Sequence, residues 1–226
     1  MNEKKRNLHI SHFIPFFAMM AAAVITVICY TFTAEKREFM DYLAVIGVAM
    51  VPLLFPLYTL LFGRTLPPFV CIMICVHMFV SANLGTAFKL YDVFLWWDLF
   101  AHGLFGFNAC IAAFVIARDF GEIRSMWGGL LLAMFVAMGL AAMWEMMEYI
   151  CDRITGGDTQ RVAESVVAGK SPLADTIEDI TITLAGWLVF AVLFLTDNLC
   201  AHKIFRKLGL VSPSVREEDA DSENRE

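Results

Sequence analysis

The sequence predicts an all-α fold, a polytopic transmembrane bundle of six helices with cytoplasmic N- and C-termini. Three observations predict it. Hydrophobic residues make up 59% of the 226, and charged residues 18%, against about 25% in soluble domains. Mean hydropathy is +0.65. Asp, Glu, Lys and Arg are absent from six runs, 7–34, 42–63, 65–88, 99–117, 125–144 and 180–196. Each is close to the roughly 20 residues needed to cross a bilayer.

The helices are expected over 13–33, 41–62, 67–87, 96–117, 126–150 and 176–197. The first follows Lys4, Lys5 and Arg6 as a signal peptide would, but its apolar stretch is too long and lacks a small-x-small cleavage site. It is read as a retained helix. Pro52 and Pro56 fall inside the second helix and should kink it, which membrane helices tolerate when neighbours satisfy the freed carbonyls. Pro67-Pro68 opens the third, Gly121 separates the fourth from the fifth, and Ser171-Pro172 precedes the sixth. The chain divides into an N-terminal cytoplasmic segment (1–12), a six-helix domain (13–197, with an outer loop at 151–175) and a cytoplasmic tail (198–226). The tail is acidic and expected to be disordered from Val211. Orientation rests on Lys and Arg near the helix ends. With the N-terminus inside, nine fall on the inner side and six, among them Lys36, Arg37, Lys89, Arg153, Arg161 and Lys170, on the outer.

Several function classes are excluded. The net charge of −6 is mostly a tail effect, since 216–226 holds six acids against two arginines. No basic stripe exists, so nucleic acid has no electrostatic footprint. The six scattered cysteines form no disulfide framework. Cys71 and Cys75, four apart on one helix face, read as polarizable core residues. No Ser-His-Asp set, phosphate-binding loop, zinc-protease motif or cofactor fingerprint is present.

Ionisable residues within membrane helices are costly and are functional candidates by default. Here they form three sets. The fourth helix opens WWDLFAH, placing Asp98 and His102 at i, i+4. The fifth closes WEMMEYICD, with Glu145, Glu148 and Asp152 at i, i+3, i+7. The sixth opens ADTIEDITIT, with Asp175 and Asp179 at i, i+4. Each set lies on one helix face. Successive helices run antiparallel, so all three sets gather at one side of the membrane, the outer side in the orientation above. Four or five carboxylates cannot all stay ionised together in a low dielectric. Either several are protonated or a cation neutralises them. One His among carboxylates at helical ligand spacing suits Mg²⁺, Mn²⁺, Ca²⁺ or Fe.

Blander readings exist for each residue. Asp175 caps the sixth helix with Glu178 completing a capping box, and Asp98 marks the interface beside the Trp96-Trp97 belt. Glu148 and Asp152 are then solvated at a helix end, and His102 is a core histidine. His77, Ser81 and Asn83 either line the site or, for the latter two, bridge helices. Gly103, Gly106, Gly128 and Gly129 are read as close-packing positions, and Thr183 and Gly186 as a packing extension of the Asp175/Asp179 face.

The second half, about 91–190, resembles the YjdF-type family of bacterial inner-membrane proteins, an uncharacterised family in the neighbourhood of VanZ-like proteins. The matching motifs are Asp98-Leu-Phe-Ala-His102 with Gly103, Glu145-Met-Met-Glu148 with Tyr149, and Asp175-Thr176-Ile-Glu-Asp179. Ala174 stands where that family often has Trp, and the preceding loop is longer. The resemblance implies a shared fold and site in a bacterial inner (cell) membrane, and its neighbourhood implies a connection to the cell envelope.

The expected function is that of an envelope enzyme. A divalent metal ion held by Asp98, His102, Glu145, Glu148, Asp175 and Asp179 would act on a lipid headgroup or lipid-linked phosphate, with Glu148 and Asp175 as catalytic groups. Expected partners are the lipid bilayer and a lipid-linked substrate, with no nucleic acid. An ion- or proton-coupled small-molecule transporter and a non-catalytic structural or partner-binding membrane protein are the alternatives. The sequence leaves oligomeric state open.

Overall fold

The computed structural model describes residues 8–34, 38–121, 125–167, 169–200 and 203–211. Among these residues there are helices and turns but no strand. Six helices are long and apolar enough to span a membrane. They are α1 (Ile10–Thr33), α2 (Phe39–Phe62), α3 (Pro68–Ala87), α4 (Trp97–Asp119), α5 (Met126–Thr155) and α6 (Pro172–Leu199). They correspond one to one with the six expected segments. The last two run longer than expected at the ends that carry acids. Helix α5 continues to Thr155 and stops at Gly156, whose φ of 70° is left-handed. Helix α6 starts at Pro172, capped by Ser171, whose hydroxyl accepts from the Ala174 N–H. Asp175 therefore lies in the first turn of α6 and is not its cap. Lys4–Arg6, Lys36, Arg37, Arg124 and the acidic tail lie outside the described residues.

The chain forms two compact bodies, Met1–Trp97 and Asp98–Glu226. The first contains α1, α2 and α3. Met19, Ala23, Tyr30, Val45, Ala49 and Ala87 form its core. Pro52 sits in a tighter 3-10 turn, Val51–Leu53, where α2 departs from α geometry as its prolines foretold. The second half of α3, Phe79–Ala87, is π-helical, which no spacing in the sequence announced. Asn83 joins two helices by donating to the Thr26 hydroxyl at 2.8 Å, whereas Ser81 bonds back to its own helix at Met78.

A polar cluster closes one end of this body. Asp41, only 6% exposed, accepts from the Tyr30 hydroxyl and from Lys89 Nζ, the latter at 2.8 Å. The Tyr30 oxygen in turn accepts from the Glu38 N–H at 3.0 Å, and Thr31 pairs with the Tyr42 hydroxyl at 3.0 Å. Lys89 adopts a left-handed φ of 59°, a conformation costing about 1–2 kcal/mol in a non-glycine residue. The ion pair with Asp41 helps to hold it there.

The second body contains α4, α5 and α6. Helix α5 buries Gly129, Ala133, Ala137 and Ala141, four apart along one ridge, and the same ridge ends in Glu145. Small residues let membrane helices approach closely enough for side chains to reach a neighbour's backbone. Cys110 Sγ donates to Ala133 O at 3.5 Å and Trp187 Nε1 to Leu130 O at 3.0 Å. Helices α4 and α6 cross more closely still. A Cβ on Gly106 would overlap the Thr183 backbone, and one on Gly186 would overlap the backbones of Gly103 and Phe107. Gly129 and Gly106 are thus packing positions as expected. Gly128 is not; it is exposed, and its N–H donates to Ser125 at the start of α5.

The described chain ends packed onto this body. Asp197 accepts from the N–H groups of Ile204 and Phe205 at 3.0 and 2.8 Å, anchoring the short helix Lys203–Lys207. Phe205 packs edge-on against Phe194 and tilted against Phe190. Val211, the expected start of the disordered tail, is itself buried.

Candidate functional site

Every carboxylate of interest belongs to the second body. Helix α4 begins at Trp97, so Asp98 and His102 rise from its first turns, one turn apart. The small ridge of α5 carries Glu145 to the same level. On α6, Asp179 is followed one turn later by Thr183 and then by Gly186. The Gly186–Gly106 crossing brings α6 against α4 there. Thr183 fixes the register, with its hydroxyl within 3.0 Å of Asp179 O and 3.4 Å of His102 O.

Asp98, His102 and Asp179 converge. Each offers one ligand atom, and these atoms lie within 4.8 Å of one another. His102 Nε2 stands 3.7 Å from Asp98 Oδ1 and 3.8 Å from Glu145 Oε1. These gaps are too long for hydrogen bonds. They match the roughly 3–5 Å separating two oxygen or nitrogen ligands that share an ion at about 2.0–2.6 Å. Glu145 is 5% exposed. Its Oε2 accepts from the Thr176 hydroxyl at 3.1 Å, and its Oε1, facing His102, has no hydrogen-bond partner. A buried carboxylate oxygen with no donor carries a desolvation cost that a cation would remove.

The remaining expected residues are placed differently. Glu148, one turn beyond Glu145, is half-buried, in electrostatic range of Glu145, Asp98 and Asp179. Asp175 is half-buried and acts electrostatically on His102, Glu145 and Asp179, but it is not in the converging trio. Asp152 turns away from its helical set. It accepts from the Thr159 N–H and hydroxyl at 2.7 and 2.6 Å and from the Gln160 N–H at 3.0 Å, so it anchors the connection between α5 and α6. His77, Ser81 and Asn83 belong to the first body.

Two contributors were given no role by the sequence reading. Thr176 was a named position of the Asp-Thr-x-x-Asp motif, and its place between two acids was the available signal. Gln160, whose side chain also reaches Glu145, comes from a connection with no periodicity to place it.

Six membrane-length helices with a carboxylate–histidine cluster sunk into the end of one three-helix body define a polytopic integral membrane protein. Residues 15–198 match the family described as predicted membrane protein DUF2238, and the chain belongs to that family. The match takes in all three helices of the first body as well as the second half on which the expected resemblance rested. No curated protein and no solved structure matches the chain.

Proposed function

We propose that this protein is a divalent-metal-dependent enzyme of the cell envelope acting on a lipid headgroup or lipid-linked phosphate. The observation that carries the reading is the convergence of Asp98, His102 and Asp179 within 4.8 Å. The undonated Glu145 oxygen 3.8 Å from His102 completes a four-residue set from three helices. One nitrogen and three carboxylates suit Mg²⁺, Mn²⁺, Ca²⁺ or Fe²⁺ rather than a thiolate-bound zinc. The cation would supply charge neutralisation and Lewis acidity toward a phosphate oxygen.

This chain's own residues do the rest. Thr176 orients Glu145 by its hydrogen bond. Glu148, half-buried at the rim, is the general base that takes a proton from the attacking water. Water adds to phosphorus, the phosphorus–oxygen bond to the lipid breaks, and the proton passes to the departing alkoxide. Asp175 is the second rim carboxylate and orients the water. With the charge bias of the loops, the site faces the outer side of a bacterial inner membrane. The YjdF-type motifs and their VanZ-like neighbourhood agree with an envelope role.

The test is phosphate release from a lipid-linked phosphate by protein in lipid nanodiscs. Turnover should be abolished by chelator and restored by Mn²⁺ or Mg²⁺. Glu148→Gln should lower kcat by at least about 100-fold while leaving bound metal unchanged. Turnover indifferent to chelator would overturn the proposal.

A further inference from the structure

Beside the carboxylates lies an open cleft of about 710 Å³ between the end of α5, the α5–α6 connection and the start of α6. Tyr149, Arg153, Gln160, Val162, Leu173 and Thr176 line it. Its inner wall belongs to the site, because Thr176 and Gln160 both reach Glu145. We infer that this cleft seats the phosphate-bearing headgroup of a membrane lipid, with Arg153 as the residue that grips the phosphate. The inference rests on the function proposed above and specifies where its substrate is held.

Three features carry it. The first is charge. Two acids, Asp152 and Asp158, also line the cleft, but both are spent on the fold. Asp152 accepts three hydrogen bonds from Thr159 and Gln160. Asp158 accepts the N–H groups of Val162 and Ala163 at 2.7 and 3.0 Å, capping the short helix Val162–Val167. The donor dipoles offset their charge. Arg153 is exposed and engages in no ion pair with a described residue, so its planar fork is available for a phosphate. Lys170, another described cation of this stretch, is already paired with Glu178.

The second feature is position. Exposed apolar side chains surround the cleft at the helix ends and the connection between them. Leu173, in the first turn of α6 and in the cleft wall, is 70% exposed; Ile154, near the end of α5, is 79% exposed, and Val167, on the connection, 90%. Apolar side chains turned outward at the ends of membrane-length helices place the cleft in the headgroup–acyl boundary. A soluble phosphate has no use for that wall; a lipid does. The third is reach: the same cleft touches Gln160 and Thr176, so a phosphate held by Arg153 has its ester at the edge of the carboxylate cluster.

The experiment measures lipids retained by the full-length protein in detergent, by native mass spectrometry. The probes are dihexanoyl-phosphatidylglycerol, dihexanoylglycerol as its phosphate-free counterpart, and glycerol 3-phosphate as the water-soluble one. Bound metal is read on the same samples. Wild type should retain the phospholipid at least about tenfold over either control, the worth of one charge-assisted contact. Arg153→Gln should lose that preference with metal content unchanged, Arg153→Lys should keep part of it, and Leu173→Trp, which fills the cleft wall, should weaken it. Glu145→Gln should lose metal and keep the lipid, so a fault in the metal reading and a fault in the cleft show on different readouts. Equal retention of phospholipid and dihexanoylglycerol, an Arg153→Gln variant that binds like wild type, or Lys170→Gln costing as much as Arg153→Gln would each overturn the inference. Equal retention of glycerol 3-phosphate would do so as well.

Discussion

Asp41 in the first body and Glu145 in the second are both carboxylates about 5–6% exposed, and both stand at the end of a three-helix body. Their surroundings are opposite. Asp41 is compensated, because the Tyr30 hydroxyl and the Lys89 ammonium both donate to its Oδ2 and the ammonium neutralises its charge. Glu145 is met by neutral donors, Thr176 at Oε2 and the Gln160 side chain, and its Oε1, 3.8 Å from His102, has no hydrogen-bond partner. The difference separates two uses of a buried acid. An acid paired with an ammonium is a clamp that holds the fold. A buried acid left with an unpartnered oxygen among other acids is a place prepared for something to arrive. Substitution should therefore act on stability in the first case and on binding in the second.

The largest expected effect tests what both uses share, the close packing beneath them. Gly186→Ala puts a methyl group into the backbone of α4, and backbone cannot swing aside. We expect a loss of about 2–4 kcal/mol in detergent unfolding together with the loss of bound metal, because α4 and α6 carry opposite sides of the site. Metal retained at wild-type stoichiometry in that variant would detach the site from the crossing.

Next comes the clamp. Asp41→Ala leaves Tyr30 and Lys89 without their acceptor. Complete burial would set the cost at about 3–5 kcal/mol; Lys89, whose side chain is 40% exposed, regains some hydration, so about 2 kcal/mol is expected. Metal content and lipid retention should not move. An Asp41→Ala protein as stable as wild type would make the two carboxylates alike. By contrast, Glu145→Gln should leave the metal-free protein at least as stable as wild type, since it removes a poorly compensated charge, while abolishing metal-induced stabilisation. The melting-temperature shift on adding Mn²⁺ reads this directly.

The smallest effect belongs to Lys170. Its hydrogen bond from Nζ to Glu178 raises its pKa above the ordinary 10.5. A raised pKa means the stabilisation is complete below about pH 10 and fades as pH climbs through the folded value. Both side chains are 40% exposed, so the pair is worth at most about 0.5 kcal/mol. Lys170→Gln should cost that little, constant from pH 7 to 9, in unfolding midpoints. A cost that grows between pH 7 and 9 would contradict it.

Much of this was legible in the sequence because the bilayer imposes simple rules. Charge-free runs located all six helices, and the 3.6-residue period put Asp98 with His102 and Asp175 with Asp179. Antiparallel succession put all three acidic sets at one end, and of their residues the structure brings Asp98, His102 and Asp179 together with Glu145 beside His102, while Glu148 and Asp175 stand outside the converging trio and Asp152 turns to the connection. What escaped was set by contacts between distant segments. The Asp41–Tyr30–Lys89 cluster joins α1, α2 and the segment after α3 through residues that each looked like an ordinary helix end. Asp152 obeyed the periodicity of its helix yet was captured by the N–H groups of Thr159 and Gln160, a competition no spacing rule registers. The π-helical turns at Phe79–Ala87 depend on how α3 packs, with Tyr91 lying on Gly85.

The most direct test is elemental analysis of protein purified without chelator, comparing wild type, Asp41→Asn, Glu145→Gln and Asp179→Asn. The account predicts near-stoichiometric divalent metal in wild type and Asp41→Asn and its loss from the other two. A metal-free wild type, or metal retained in both Glu145→Gln and Asp179→Asn, would contradict it.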